Sequence, residues 1–300
     1  MKIVECIELT KKHGQRKALN NLSVTIEENR ITGLIGRNGA GKTTLLKILA
    51  GFWAESSGQV NVFSNRPFNS LFVSANTVFV DDQMNFPTAL TLKEVLEQAG
   101  EFYEKWDMDL ALRLFDYFAF DSKQIHNNLS KGKRSTFNVI IGLASRCSLT
   151  IFDEPTTGMD AAVRKDFYRA LLKDYLAHPR SIIISSHYLD ELEVVLEDVL
   201  LMEEGSNLLH MPIEELKEYA IGLSGGSEQV DGWISDKDVL YTNTVGLDSK
   251  FSVVKNDFSS DTLGQIKRSG VEVSSVSPSD LCVYLTQKTT GGIDDVFNRS

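Results

Sequence analysis

Hydrophobic and polar residues alternate at the start of the chain. Residues 3–9 and 22–26 follow the two-residue period of half-buried antiparallel strands, and the segment KKHGQRK at 11–17 is a turn candidate between them. The next segment, RITGLIG, predicts a buried strand, and a glycine-rich turn and the helical segment KTTLLKILAG follow it. Gly51 is the expected cap of this helix. The pattern therefore predicts a small antiparallel β layer, and then a strand, a turn and a helix.

The period of the pattern changes in the middle of the chain. Two amphipathic segments, 91–104 and 107–118, place apolar residues at helical spacing and predict a helical insert. From residue 134 onward, helices alternate with short apolar strands. The predicted order is a helix, strand LTIF, helix 161–176, strand SIII, helix 188–197 and strand DVLLM. This alternation predicts an α/β fold in which helices cover a mostly parallel sheet.

The composition shifts after the segment EEGSN. Serine, glycine and aspartate become more frequent, and the strand-like segments VLYTNTV, FSVV and VEVSSV surround a helix near 261–268. We therefore predict a domain boundary near residue 206. The first domain would span 1–205, and a small α+β domain would span 206–300.

Composition and charge exclude several classes of protein. With 42% hydrophobic and 24% charged residues the chain is globular, and its net charge of −10 disfavours a nucleic-acid partner, because such binding depends on basic residues that neutralise phosphates. Cys6, Cys147 and Cys282 are scattered without metal-ligand spacing, which is typical of reduced thiols in a cytosolic protein. No window approaches the roughly eighteen uninterrupted apolar residues of a membrane span. We expect that the chain does not cross a membrane by itself.

The glycine-rich turn, GRNGAGKTT, fits the spacing G-x-x-x-x-G-K-[ST]. Glycines let successive backbone N–H groups point at phosphate oxygens, and the following helix offers its positive end. Lys42 would supply a charge to the β and γ phosphates, and Thr43 a hydroxyl to Mg²⁺. The alternative is a plain glycine turn, but the flanking strand and helix favour nucleotide binding. The candidate nucleotide-binding residues are Gly36, Arg37, Asn38, Gly39, Ala40, Gly41, Lys42, Thr43 and Thr44.

Polar residues follow two further predicted strands. In LTIFDEPTTGMD, Asp153 could hold Mg²⁺ through water, and Glu154 could deprotonate a water for attack on a γ-phosphate. The alternative is that both acids cap the next helix. His187 follows SIIISS and could hydrogen-bond the γ-phosphate, or it could be an ordinary polar residue at a strand end.

Several motifs stand in a defined order along the chain. They are GRNGAGKTT as Walker A, LSKGK as the signature, LTIFDEP as Walker B, TGMD as the D-loop and SSH as the switch histidine. Over residues 3–205 this order resembles the ATPase of an ABC transporter. The resemblance implies a P-loop NTPase cassette that hydrolyses ATP with Mg²⁺, and a head-to-tail dimer that buries two ATP molecules. Each ATP would lie between one subunit's Walker A and the other's signature, near Asp160 of the D-loop.

Two segments of the chain look like a signature. The motif must open a helix shortly before Walker B, so only LSKGK at 129–133 qualifies. Ser130 could cap that helix and offer its hydroxyl, and Gly132 keeps the backbone close to phosphate. Lys131 and Lys133 replace the family's glycine and glutamine, and we expect them to strengthen the attraction for phosphate. The later LSGGS at 223–227 is predicted to be a loop of the small domain.

Two further positions follow from the resemblance. His13 stands where the family has an aromatic residue that stacks on adenine, and a plain turn histidine is the alternative. The segment FVDDQMNF stands where the family has its Q-loop, which touches Mg²⁺ and the attacking water and couples to the transmembrane partner. The Q-loop position falls on Asp82, with Gln83 as the alternative.

The resemblance extends to a function. The tail after residue 206 is similar to that of ATPase subunits of bacterial drug, bacteriocin and lantibiotic exporters whose permease is a separate polypeptide. The chain is thus expected to be a cytoplasmic subunit, peripheral on the inner face of the cell membrane, with Lys42, Glu154 and His187 as catalytic residues. Its partners would be a permease and a second ATPase subunit, identical or different. The alternatives are a soluble ABC ATPase acting in translation or on DNA, and an ATP-gated regulatory subunit that scarcely hydrolyses ATP.

Overall fold

The computed structural model describes residues 1–187, 189–245 and 248–287, and the chain divides into two compact units, Met1–His210 and Met211–Ser300. The strands that begin in the first unit are β1 (Lys2–His13), β2 (Arg16–Glu27), β3 (Ile31–Ile35), β4 (Ser57–Val62), β5 (Thr77–Val80), β6 (Leu149–Asp153), β7 (Ser181–Ser186), β8 (Asp198–Glu203) and β9 (Ser206–Pro212). Its helices are α1 (Lys42–Leu49), α2 (Leu71–Asn76), α3 (Leu92–Phe102), α4 (Met108–Tyr117), α5 (Lys131–Ala144) and α6 (Ala161–Ala177).

An antiparallel layer of three strands, in the order β2-β1-β4, opens the first unit. The β1–β2 ladder continues through Lys12↔Lys17 and His13↔Arg16, so that only Gly14 and Gln15 form the turn. The predicted turn at 11–17 is therefore narrower than expected. The end of this ribbon is exposed on both faces, so its sequence lacks the alternation that marks a half-buried strand.

The core of the unit is a six-stranded sheet in the order β5-β6-β7-β3-β8-β9. Strand β3 runs parallel to β7 and β8, and β6 runs parallel to β5 and β7. Every residue of β3 and β6 is buried, as expected for parallel strands with both faces covered. The α/β prediction is confirmed. The carboxyl ends of β3, β6 and β7 meet at one edge of this sheet, where open α/β sheets bind their ligands.

The helical insert consists of α3 and α4, packed against the long helix α5. Thr91 and Glu94 form a capping box at the start of α3, and Asp107 caps α4. The ring of Phe137 on α5 is fully buried among aromatic rings of the insert, including Phe115 and Phe120. The insert therefore shares one apolar cluster with the helix that follows it.

One predicted helix is wrong. Residues 190–195 form consecutive turns, no helix is assigned within the described range 189–197, and residue 188 lies outside the described residues. Leu189, Leu192 and Leu196 are buried at helical spacing, which is why the pattern favoured a helix. Backbone bonds to the third and fourth preceding residues alternate here, as in Leu192 N–H to Leu189 and Leu196 N–H to Leu192. The apolar period indicates only that one face of the segment is buried. Consecutive turns can bury the same residues as a helix does.

The second unit contains the helices α7 (Ile213–Glu218), α8 (Ser227–Ile234), α9 (Ser260–Arg268) and α10 (Pro278–Thr286). Its strands are β10 (Ala220–Gly226), β11 (Val239–Val245), β12 (Ser249–Lys255) and β13 (Glu272–Ser275). The strands form an antiparallel sheet in the order β11-β12-β10-β13. From β10 to β13 the chain order is β-α-β-β-α-β, the split βαβ arrangement. Its apolar cluster joins the sheet to α8 and α9.

The segment LSGGS is not the predicted loop. Its first residues lie in β10, and Ser227 begins α8. Leu223 is fully buried in the cluster of this unit, and the neighbouring Gly222 lies directly under the ring of Phe251. A Cβ on Gly222 would lie 2.8 Å from that ring. Close packing between strands, rather than a flexible connection, thus accounts for glycine at this position of the sheet.

Candidate active site

The loop between β3 and α1 has the backbone shape of a phosphate cradle. Gly39 and Gly41 have φ values of 88° and 103°, in the left-handed region that favours glycine. A Cβ on Gly41 would lie 2.5 Å from the carbonyl oxygen of Ala18, so a side chain at this position would displace the loop. Helix α1 begins directly after Gly41. Its first N–H groups and its positive end therefore face the concave side of the loop.

The side chain of Lys42 lies inside this loop. It is only 6% exposed, and its Nζ donates a hydrogen bond of 2.7 Å to the carbonyl oxygen of Gly36. The same ammonium lies 3.5 Å from Oε1 of Glu154. The charge is thus held at the centre of the cradle by a backbone carbonyl and one carboxylate, where it can bind an entering phosphate.

The acidic pair ends strand β6. Asp153 is buried, and its Oδ1 accepts a 2.6 Å hydrogen bond from Oγ of Ser185, which in turn accepts from the backbone N–H of Glu154 at 2.9 Å. Glu154 has φ of 49°, an unusual left-handed conformation for a glutamate. Its Oε2 lies 2.7 Å from Nδ1 of His187. The alternative that the acids cap the next helix does not hold, because Asp160 caps α6.

At the acidic site the structure adds two residues that the sequence did not single out. Ser185 pairs with Asp153 in the β6–β7 register. Its contact with Asp153 could have been predicted only if that register were known. Asp81 is the first residue after β5, and its carboxylate lies 3.8 Å from Nζ of Lys47. Burial raises the pKa of Asp81, Lys47 lowers it, and the nearby charge of Asp153 raises it further. Asp81 is therefore in electrostatic contact with the acidic site.

Asp82, the predicted Q-loop residue, does not contact the acidic site. The carboxylate of Asp82 is 46% exposed and lies 3.5 Å from Nζ of Lys131, at the start of α5. Gln83 donates its backbone N–H to the Asp81 carboxylate. The structure thus brings Asp81 to the buried acidic site and turns Asp82 towards the signature segment.

The oxygen ligands at the carboxyl edge of the sheet suit a small cation such as Mg²⁺. The exposed Thr43 lies on the first turn of α1, and Asp153 and Asp81 supply carboxylates. Mg²⁺ prefers such oxygen ligands and often completes its shell with phosphate and water. The described residues contain no group of three His, Cys, Asp or Glu side chains that could hold a metal ion. Thr43 and Asp153 are the residues that would hold Mg²⁺ together with a nucleotide's phosphates.

A cavity of about 370 Å³ opens over the phosphate loop. It is lined by residues 38–44, Ala18 and Glu154, and by His13 and Arg16 from the tip of the β1–β2 hairpin. The His13 ring packs edge-on against Trp53, with ring centroids 5.1 Å apart. Arg16 was not predicted. The cavity therefore joins Lys42 and Glu154 to most of the predicted nucleotide-binding residues and to one further cation.

The signature segment has the predicted helix cap. Ser130 is the N-cap of α5, and its Oγ accepts a 3.4 Å bond from the N–H of Lys133. Gly132 approaches the D-loop so closely that a Cβ would lie 2.3 Å from the Gly158 carbonyl oxygen. Asp160 accepts bonds from the backbone N–H groups of α6. Ser130, Gly132 and Asp160 do not line the cavity over their own chain's phosphate loop.

The two lysines of the signature segment differ. The Nζ of Lys133 donates a 2.6 Å bond to the carbonyl oxygen of Phe118 and lies over the ring of Phe120. In this structure Lys133 therefore contacts the end of the helical insert, and its attraction for phosphate stays a prediction. Lys131 is exposed at the helix start, where its ammonium contacts Asp82. The sequence could not predict that Lys131 and Lys133 have different contacts, because the directions of their side chains depend on how the insert packs against α5.

Within the described residues, no helix has the length and the apolar character needed to span a membrane.

Comparison with known proteins identifies relatives of the chain. Residues 19–157 match the model of the family described as ABC transporter. The chain is 29% identical to the ABC transporter ATP-binding protein YtrB of Bacillus subtilis, over 72% of this chain and 74% of YtrB. It is also 29% identical to the bacitracin transport ATP-binding protein BcrA of Bacillus licheniformis, over 72% of each chain. A solved dimeric ATP-binding cassette bound to ADP and Pi shares the fold, with a TM-score of 0.62 and 20% identity over 70% of this chain and 98% of that one.

Proposed function

Because this chain belongs to the ATP-binding proteins of ABC transporters and is an ATPase, we propose that it powers export through a separate transmembrane permease. The observation that carries the proposal is the position of Glu154. Its carboxylate lies at the mouth of the phosphate cradle, between Lys42 and His187. These three groups are those that a hydrolytic site needs: a cation for phosphate, a base for water and a group that orients the base.

The chain's own residues account for the chemistry of hydrolysis. The N–H groups of the loop and Lys42 bind and orient the β and γ phosphates. Glu154 accepts the proton of the attacking water, and His187 holds the Glu154 carboxylate in place through Nδ1. Ser185 fixes both Asp153 and the backbone of Glu154. Bound Mg²⁺, held by Thr43 and Asp153, would neutralise phosphate charge.

The proposal includes a dimer. Ser130, Gly132 and Asp160 lie outside the cavity over their own chain's phosphate loop, and we propose that they contact the nucleotide of a second subunit. A head-to-tail pair of cassettes would place them on the partner's ATP, and two Mg-ATP would then be buried. The dimeric assembly of the solved cassette with ADP and Pi supports this arrangement by analogy of fold.

An aromatic groove is the proposed site of the permease. A cavity of about 510 Å³ lies beside Asp81 and residues 83–85 of the Q-loop segment and has Phe52, Phe102 and Tyr103 among its walls. The side chains of Phe52 and Phe102 are 57% and 69% exposed, which is unusual for large apolar groups and typical of an interaction surface. A permease segment bound here would contact the same loop as Asp81. This contact would hold the subunit on the cytoplasmic face of the membrane.

The experiment that tests the function uses Glu154→Gln. We expect the ATPase rate to fall by about 10²–10⁴-fold, because a general base is lost, while Mg-ATP binding persists and dimers accumulate. The variant would then be trapped with Mg-ATP in native membranes, purified, and analysed by mass spectrometry for a multi-spanning protein. Glu214→Gln, at an exposed site of the second unit, is the matched control. Recovery of ribosomes or of the soluble protein alone would reject the transport function.

A further inference from the structure

Arg16 lies at the tip of the β1–β2 hairpin, next to the phosphate loop. The turn of Gly14 and Gln15 makes His13 and Arg16 direct partners in the antiparallel ladder. Side chains of directly opposed residues project from the same face of a ribbon. Both residues line the cavity of about 370 Å³ over the phosphate loop.

The guanidinium of Arg16 approaches the loop at one of its glycines. Its Nη2 lies 3.4 Å from the position that a Cβ on Gly39 would take. Gly39 belongs to the part of the loop whose N–H groups face phosphate oxygens. The guanidinium is therefore beside the proposed phosphate positions and within the same cavity.

Arg16 differs from the structural arginines of this unit in its partners. Arg30, Arg146 and Arg180 each form ion pairs with aspartates of the core or its rim. Within the described part of the chain, no carboxylate forms an ion pair with Arg16. The cavity wall thus contains two cations, Arg16 and Lys42, and only the carboxylate of Glu154 to balance them. This excess of positive charge suits a polyanion.

The two hairpin residues have different neighbours. His13 packs its ring against Trp53, on the side of the hairpin where the resemblance places adenine. Arg16 has its closest approach to Gly39, on the phosphate side. An arginine fork matches the geometry of phosphate oxygens and is always charged.

We propose that Arg16 binds the polyphosphate of the nucleotide, as a cation that the hairpin contributes to its own chain's phosphate loop. The proposal rests on the nucleotide site of the proposed function, and it is independent of the dimer and the permease. The hairpin would then contribute to nucleotide affinity through Arg16 as well as through the predicted stacking of His13 on the base.

The test measures the dissociation constants of Mg-ATP and Mg-GTP by calorimetry, for the full chain and its variants. For Arg16→Gln we expect both constants to rise by the same factor, about fivefold to tenfold, because an exposed charge-assisted hydrogen bond is lost. Arg16→Lys should fall between the wild type and Arg16→Gln, because it keeps the charge but loses the fork. The rise should shrink at high salt, since screening weakens the lost attraction.

The control is Lys17→Gln, at the next residue of the hairpin. Lys17 is exposed, donates to Oδ1 of Asn20 and does not line the cavity, so its loss should leave both constants unchanged. An unchanged constant in Arg16→Gln overturns the proposal, and so does a rise for ATP alone, which would indicate contact with the base. An Arg16→Lys variant as weak as Arg16→Gln also overturns it. If the wild type bound neither nucleotide, the proposed site itself would fail.

Discussion

Ser185 controls the geometry of the acidic site although it carries no charge. Its hydroxyl donates to Asp153 and accepts from the N–H of Glu154, so one buried group fixes two functional residues. Glu154 is held in a left-handed backbone conformation that a glutamate rarely adopts. The direction of the Glu154 carboxylate, the proposed base, is therefore set by the neighbouring strand β7 as well as by its own side chain.

We predict that Ser185→Ala lowers kcat by about tenfold to a hundredfold while the dissociation constant of ATP changes little, because the change loosens the support of Asp153 and Glu154. It should also lower the free energy of unfolding by about 1–3 kcal/mol. The matched control is Ser181→Ala, at the other end of β7, where the buried hydroxyl accepts from the N–H of Asn29. Steady-state kinetics compares the two variants, and equal values of kcat would contradict the assigned role.

The pKa of Asp81 gives a prediction about pH. Burial is the largest effect and raises this pKa above its ordinary value of 3.8, so the folded state holds the proton more tightly than the unfolded state. Stability therefore decreases as the pH rises from that value through the raised pKa. Asp81→Asn removes this loss and should be more stable than the wild type at pH 7, with a difference that disappears towards pH 4. Urea unfolding at both pH values measures it, and a destabilised variant at pH 7 would refute the prediction.

At the scale of secondary structure, the sequence predicted most of the elements that carry the site. The phosphate loop and the acidic end of β6 are determined by short segments of the sequence. Glycine spacing predicts the first and a short apolar segment predicts the second, without knowledge of the tertiary packing. The Q-loop assignment to Asp82, with Gln83 as the alternative, stays a prediction. The sequence did not show that Asp81 lies nearer the acidic site than Asp82, because that depends on where β5 ends. The helix at 188–197 and the loop at LSGGS were wrong for a related reason. Tertiary packing decides whether an apolar period becomes turns and whether glycines enter a strand.

The contact between α5 and the D-loop gives a prediction about this element. In Gly132→Ala the new Cβ would collide with the Gly158 carbonyl, so we expect the free energy of unfolding to fall by about 1–3 kcal/mol and the ATPase rate by at least about tenfold. Gly232→Ala on α8 is the control: nothing lies within 4 Å of its Cβ, and alanine should stabilise the helix by up to about 1 kcal/mol. Thermal unfolding and ATPase assays measure both effects. A Gly132→Ala variant with wild-type stability and rate would contradict the prediction.

At the scale of the whole molecule, the proposed function uses two surfaces of the chain. One is the cavity over the phosphate loop, which we propose a second subunit completes, and the other is the aromatic groove beside Asp81 and residues 83–85. Such surfaces cannot be derived from residue patterns alone, since Phe52 and Phe102 are far apart in the sequence and line one cavity only in the folded chain. The resemblance to a family supplied the expectation of a partner, and the structure supplied the groove.

We predict that replacing both Phe52 and Phe102 with serine abolishes recovery of the permease from membranes, because the apolar wall of the groove is lost. The ATPase rate of the purified protein should stay within about twofold of the wild type, since the substituted side chains are exposed and do not line the cavity over the phosphate loop. Leu71→Ser is the control, at a side chain that is 88% exposed outside the groove. Undiminished recovery of the permease would place its contact elsewhere.

The bond from Lys133 to the carbonyl of Phe118 has a mechanical consequence. It ties the start of α5 to the end of α4, and the buried ring of Phe137 joins the same two helices further along. Phe102 ends α3, which packs into the same apolar cluster. These contacts place α3, α4 and the start of α5 in one set of packed helices. If the permease binds at Phe102 as proposed, we expect these helices to transmit its displacement to the signature segment.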